Sequence, residues 1–272
     1  MMRRSMRLLD ILRPKKILKK PQNEVGSLSE LEKLLDRHSL HTAKKIIAVE
    51  EIPTWGELVR FFNDLEDEEI KTRYSRKVLS GESFNITEGT INQYFTRKDG
   101  WDRFCYDEHI YHAFCYEFVE KLAEEIKGLE CHGSTVEVFA GNGKLSHWLR
   151  EFGVPSIATD NYSWEIRRNP KDVINLSHLQ ALEKYKPELV IGCWVPGRGF
   201  LGPENDVEVL NFPSVRYYLR IGLVGSDEIS IQSSTSIPYN YLDSANRFSF
   251  SERNPITGQV QNSFAALFTK PT

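Results

Sequence analysis

Apolar positions along this chain change their period near residue 130. From about Ser27 to Leu129 they recur every three to four residues, the spacing of one helical face. Ser27-Leu-Ser-Glu30 has capping-box spacing and opens a helix striped by Leu28, Leu31, Leu34 and Leu35. Thr54-Trp-Gly-Glu57 repeats that signature ahead of Leu58, Phe61, Phe62 and Leu65. Ile110, Tyr111, Phe114, Phe118 and Leu122 predict a longer helix, from near Asp102 or Asp107 through Lys127 and closed by Gly128. Gly81 to Gly100 reads as a polar and aromatic connector holding Phe84, Tyr94 and Phe95.

From Gly133 short β-branched runs alternate with helical ones. Strands are expected at Thr135–Phe139, Val154–Thr159, Val173–Leu176, Glu188–Cys193 and Arg216–Val224, with further ones near Ile229–Gln232, Arg247–Ser251 and Ser263–Thr269. Lys144–Phe152 and Leu179–Lys186 read as the intervening helices. Strand–helix alternation with short turns predicts an α/β fold built of right-handed βαβ units on a doubly wound, mostly parallel sheet. Asn254-Pro-Ile-Thr-Gly258 is turn-rich and suits an antiparallel hairpin between the last two segments.

The densest chemical signal is Thr135-Val-Glu-Val-Phe-Ala-Gly-Asn-Gly-Lys144. A strand ends in two glycines one residue apart and a helix begins at once, a geometry that lets backbone approach a ligand closely. A nucleoside triphosphate loop fails here, because Val138 replaces its first glycine and Leu145 its magnesium-binding hydroxyl. A dinucleotide loop fits in part, with Ser146 at the third glycine. The remaining pattern is Glu137, Val138, then Phe139-Ala140-Gly141-Asn142-Gly143. It resembles motif I of class I S-adenosylmethionine-dependent methyltransferases, in the variant with Phe at the first glycine position.

That resemblance covers residues 133–272 and implies a Rossmann-like methyltransferase sheet with an antiparallel C-terminal strand. The chain then divides into a basic arm (1–24), a helical lid or cap (25–132) and an S-adenosylmethionine-binding domain (133–272). By resemblance, Gly141 and Gly143 bring amides to the methionine carboxylate and Glu137 fixes the methionine ammonium. Asp160, 17 residues beyond Gly143 and followed by Asn161, suits both ribose hydroxyls, of this nucleoside or of NAD. Asn175 or Ser177 falls where the family often places an acid for the adenine amine, and an Asn carbonyl can accept in its place. Cys193-Trp194-Val195-Pro196 falls where amino-methylating members carry [NDS]-P-P-[YF], which makes Cys193, Trp194 and Pro196 the acceptor-side candidates. Pro196-Gly197-Arg198-Gly199 reads as a mobile loop, and Tyr94, Trp101 and Tyr106 are further candidates for an acceptor pocket.

Composition narrows the remaining classes. No apolar run approaches ~18 residues, so no transmembrane helix is expected, and Cys105, Cys115, Cys131 and Cys193 lack disulfide or C-x-x-C spacing. A cytoplasmic location with reduced thiols follows. Cys105, His109, His112 and Cys115 imitate a metal motif, but ten helical residues span ~15 Å, too far for one zinc ion, so no metal is expected. Residues 3–20 carry eight basic side chains against Asp10 alone, a local +7 that leaves −10 for the rest of a chain whose net charge is −3. That start suits contact with nucleic acid or an anionic surface, or an organellar presequence. The residues favour an S-adenosylmethionine-dependent methyltransferase acting on a small molecule, protein or nucleic acid. A non-catalytic methyltransferase-like assembly module is the alternative, and an NAD-linked oxidoreductase a third.

Overall fold

The computed structural model describes residues 31–65, 104, 105, 108, 110, 112–131, 133, 135–163, 172–196, 204–223, 231, 234–249 and 263–271. The basic arm, Tyr94, Trp101, Tyr106, His109, the Asn254–Gly258 turn and the Gly197-Arg198-Gly199 loop lie outside the described residues.

Among the described residues, the helices ahead of the sheet include α1 (Arg37–Ile47), α2 (Trp55–Leu65) and α3 (Tyr116–Lys127). Thr54 and Glu57 form the expected capping box at α2: Glu57 N–H donates to Thr54 Oγ1 at 3.2 Å and Thr54 N–H to Glu57 Oε2 at 2.8 Å. Of the helix expected from Ser27, residues 27–30 lie outside the described residues, Leu31 is helical, and Leu34 and Leu35 lie in a turn. Asp36 then caps α1, accepting the Ser39 N–H at 2.7 Å, and α1 buries Ala43, Ile46 and Ile47. The long helix predicted through Lys127 is broken. Phe104, Cys105 and Glu108 are helical, but Ala113, Phe114 and Cys115 are not, and α3 starts at Tyr116. Tertiary packing overrides the aromatic period here. His112 is drawn onto Ser263, its Nδ1 2.9 Å from the hydroxyl, and Cys115 donates to the Phe248 carbonyl at 3.5 Å.

The second half alternates as the pattern predicts. It runs β1 (Thr135–Val138), α4 (Lys144–Glu151), β2 (Ser156–Asp160), β3 (Val173–Asn175), α5 (His178–Tyr185) and β4 (Leu189–Cys193). There follow α6 (Glu204–Asn211), β5 (Tyr217–Leu223), β6 (Tyr239–Tyr241), α7 (Asp243–Asn246) and β7 (Ser263–Thr269). The seven strands lie in the order β3-β2-β1-β4-β5-β7-β6. β1 to β5 pair in parallel, and β7 pairs antiparallel with both β5 and β6. This is the doubly wound, mostly parallel Rossmann-like sheet with an antiparallel C-terminal strand.

Two expected strands are corrected. Ile231 is helical, and Arg247 and Phe248 lie in the turn after α7; the sixth strand is instead Tyr239–Tyr241. Tyr239 is seated by Phe268, with ring centroids 5.1 Å apart. Asn246 explains why residues 247–249 add no strand. Its side chain donates to the Ala265 carbonyl and accepts the Ala265 N–H, so an amide takes the place of a neighbouring chain.

Alternating residues serve opposite faces of the sheet. Ile191, Leu219 and Ile221 meet α3, α4 and α7, with Ala43, Ile46, Leu58 and Phe61 of α1 and α2 continuing the same core. Val136, Val138, Val190 and Tyr218 meet Ala181 and Leu182 of α5 and Val209 and Leu210 of α6. The carboxyl ends of β1, β2 and β4 are thereby left as one edge, between these two layers.

Candidate functional site

Three side chains stitch the glycine turn after β1. Asp160 Oδ2, at the end of β2, accepts the Gly141 N–H at 3.0 Å. Asn142 Oδ1 accepts the Lys144 N–H at 3.1 Å, and Glu137 Oε2 accepts the Ser146 N–H at 3.0 Å. Two amides of the first turn of α4 are thus engaged from within the chain, which addresses donors a helix otherwise leaves open. Gly141 and Gly143 stand at φ +56 and +75, where side chains are strained. A Cβ on Gly143 would also meet Val173 Cγ2 at 2.6 Å, whereas one on Gly141 would meet nothing within 4 Å. Gly143 is therefore a packing glycine, and Gly141 faces open space.

Glu137 is 2% exposed, and burial pushes its carboxyl up to about 7, with the Ser146 side-chain and backbone hydrogen bonds opposing the shift. Phe139, just past the end of β1, takes the left-handed conformation at φ 57 and packs its ring 4.9 Å from that of His178. His178 Nε2 in turn lies 2.7 Å from Glu208 Oε2, tying the end of β1 to α5 and α6. Ala140 and Asn142 complete the half-buried turn.

At the neighbouring strand ends, Asp160 also accepts the Tyr162 N–H on Oδ1 at 2.6 Å. A carboxylate has about four lone-pair sites, so two amides leave acceptor capacity on Asp160. Asn161 is exposed and its Oδ1 accepts the Ser163 N–H at 3.0 Å. Asn175 is exposed and pairs in register with Asp160. Ser177 is committed elsewhere, as the N-cap of α5 in a capping box with Gln180.

The end of β4 is built differently. Trp194 is another aromatic residue at positive φ, 54, and its N–H donates to the Ile221 carbonyl at 2.9 Å. Beneath it, Asp206 Oδ1 accepts from Tyr218 Oη at 2.5 Å and from Arg220 Nε at 2.8 Å, all three residues being buried. Arg220 Nη1 donates to the same Ile221 carbonyl, and Asn205 Nδ2 to the carbonyl of Pro196. A Cβ on Gly192 would collide with Tyr218 Oη and come within 2.7 Å of Val195 Cγ2. Cys193, Trp194 and Pro196 thus sit over a buried ionic cluster from α6 and β5. Burial, with the Asp206 charge beside it, raises the Tyr218 phenol well above its ordinary value.

The sequence pattern did not single out His178, Asn205, Asp206, Tyr218 or Arg220. Pro203-Glu-Asn-Asp206 carried a helix-start signal for α6, with acids in the first turn. Burial pushes the His112 imidazole down to about 3 and the Cys115 thiol up to about 12, which marks both as core groups. Among the described residues no group of three His, Cys, Asp or Glu could hold a metal ion, and no helix is long and apolar enough to cross a membrane.

No family model and no curated protein matches the chain. Among solved structures, a protein of the NADB-Rossmann superfamily from Streptococcus agalactiae is 12% identical, with TM-score 0.35, over 58% of this chain and 70% of that one. The METTL16 methyltransferase domain is 13% identical, with TM-score 0.36, over 57% and 66%. The 23S rRNA methyltransferase ErmE is 13% identical, with TM-score 0.34, over 58% and 69%. The fold assignment rests on the strand order and direction given above.

Proposed function

We propose that this protein is an S-adenosylmethionine-dependent methyltransferase. The observation that carries the reading is the Gly141 N–H donating to Asp160 Oδ2, which joins the left-handed glycine turn after β1 to the carboxylate after β2. Ligands of doubly wound sheets bind at the carboxyl ends of the strands, and a turn and an acid joined there suit a nucleoside. The open space beside Gly141 and the acceptor capacity left on Asp160 fit the cofactor.

In this reading Glu137 receives the ammonium, Phe139, Ala140, Gly141, Asn142 and Gly143 form the cradle, and Asp160 with Asn161 binds the ribose. Asn175, beside Asp160 in the sheet, accepts from the adenine amine. S-adenosylmethionine supplies an activated methyl group, so the chain's own work is alignment and exclusion of water. Trp194 and Pro196 form the acceptor wall with Cys193 at its base, and Asn205 and the Asp206 cluster fix that wall.

Calorimetric titration of the full chain with S-adenosylhomocysteine tests the reading. Binding that Asp160→Asn weakens at least ~tenfold, about 1.4 kcal/mol, is expected; no binding at millimolar ligand sinks it. Incubation with labelled S-adenosylmethionine and fractionated extract then assigns the acceptor class. A non-catalytic assembly module is favoured by one observation, the neutral Asn175 where an acid is usual, and saturable binding without label transfer to any fraction selects it.

A further inference from the structure

Lys144 is the residue after Gly143, and it is buried at 4% exposure with its ammonium against the end of α1. Its Nζ donates to the carbonyls of Lys45 at 2.6 Å, Ile46 at 3.0 Å and Ala48 at 2.6 Å. These are the final carbonyls of α1, the negative end of that helix, and three acceptors match the three protons of an ammonium. One turn further along the same face of α4, Trp148 Nε1 donates to the Val49 carbonyl at 2.9 Å. Meanwhile the backbone N–H of Lys144 is the one taken by Asn142 Oδ1 inside the turn, at 3.1 Å. A single residue therefore joins the end of α1 to the glycine turn.

Resting on the cofactor reading of that turn, we propose that Lys144 is a positioning residue that couples docking of α1 to cofactor binding. If α1 leaves, three carbonyls lose their donor and the buried ammonium loses these three acceptors, a cost that movement of the first turn of α4 relieves. The docked end of α1 thus holds the turn in its binding form. By linkage, a ligand in the turn tightens α1 by the same factor.

The test uses the full chain, S-adenosylhomocysteine as the probe, and two variants. Lys144→Met keeps length and removes the donors, and Trp148→Phe removes one donor while keeping a ring. Hydrogen exchange of peptides within residues 37–49, with and without the probe, reads the coupling separately from affinity. In the wild type the probe is expected to slow exchange there. Lys144→Met is expected to bind about tenfold more weakly, within the ~5–150-fold range of such couplings, and to lose that slowing. Trp148→Phe, with the smaller change in the same direction, decides the matter if Lys144→Met does not fold. Folded variants that bind like the wild type, or a wild type whose residues 37–49 exchange unchanged with the probe bound, overturn the proposal. A wild type that binds no probe instead removes the cofactor reading beneath it.

Discussion

The turn after β1 and the turn after β4 lie at adjacent strand ends, and each holds an aromatic residue in the left-handed region, Phe139 at φ 57 and Trp194 at φ 54. Their supports differ. The β1 turn is held by side-chain bonds to backbone amides, from Glu137, Asn142 and Asp160. The β4 turn stands on a buried ionic cluster whose members come from α6 and β5. Strained backbone persists only where its surroundings over-determine it. The first turn meets that requirement with glycines and hydrogen bonds, which cost less to rearrange than buried charge. The second meets it with buried charge, and so is rigid.

The most severe way to break this contrast is Asp206→Ala. Arg220, 2% exposed at its side chain, would lose the carboxylate that lies 2.8 Å from its Nε. Removing one member of a buried pair costs about 3–5 kcal/mol. Chemical denaturation should show a loss of that size, well above the loss from removing Asn142, whose bond to Lys144 N–H is half-buried. Equal losses would erase the distinction between the two turns.

The next effect is tied to pH. Glu137 titrates at about 7 in the folded chain against an ordinary 4.5. A raised value means the folded state keeps its proton longer, so stability is full below about 4.5 and is lost as pH rises through about 7. A shift of this size corresponds to a loss on the order of 3 kcal/mol. Glu137→Gln, neutral throughout, should flatten the curve between about pH 5 and pH 8, with the wild type as reference. An unchanged slope would mean that Glu137 is not the responsible group. The His112 slope runs the other way. Its value falls from 6.5 to about 3 on burial, so stability is lost as pH drops through that range in both proteins and cancels in the comparison. A bound ammonium would favour charged Glu137, so S-adenosylhomocysteine should bind more tightly as pH rises to about 7, releasing a proton below that pH, and the variant should lose that dependence.

This contrast also explains what the sequence made legible. The glycine turn is encoded by neighbours: a β-branched strand, two glycines and a helix start occupy ten consecutive residues, and Asp160 follows at the next strand end. Period alone placed the parallel strands, because β1, β4 and β5 are apolar runs bounded by turns. The support of the β4 turn was illegible, since Asp206, Tyr218 and Arg220 each read as an ordinary residue of an amphipathic element. Only the β4–β5 register, Gly192 opposite Arg220, brings them under the loop. The same holds for Lys144, whose partners lie 96–99 positions earlier. The unbroken helix through residue 115 failed for a related reason: His112 is bonded to Ser263 of β7 and Cys115 to the Phe248 carbonyl, partners far away in sequence.

Glycine substitutions sharpen the comparison at smaller amplitude. Gly192→Ala places a methyl against Tyr218 Oη and 2.7 Å from Val195 Cγ2, and overpacking of this kind costs about 1–3 kcal/mol. Because the collision is on the buried side, melting temperature should fall while affinity of the folded protein for S-adenosylhomocysteine holds. A weakened affinity with an unchanged melting temperature would place Gly192 in the cradle instead.

Gly141→Ala should show the reverse. At φ +56 the added methyl meets nothing within 4 Å, so its only folding cost is that of the left-handed backbone, about 1–2 kcal/mol. The open space it would enter, however, lies beside the amide that Asp160 holds, where the cofactor is proposed to approach the turn. Affinity for S-adenosylhomocysteine should therefore fall by more than stability does when both are expressed as free energies. If the order were inverted, with stability lost and binding intact, the space at Gly141 would be an accident of the turn. The adjustable side of the comparison would then move to Asp160 and the end of β2.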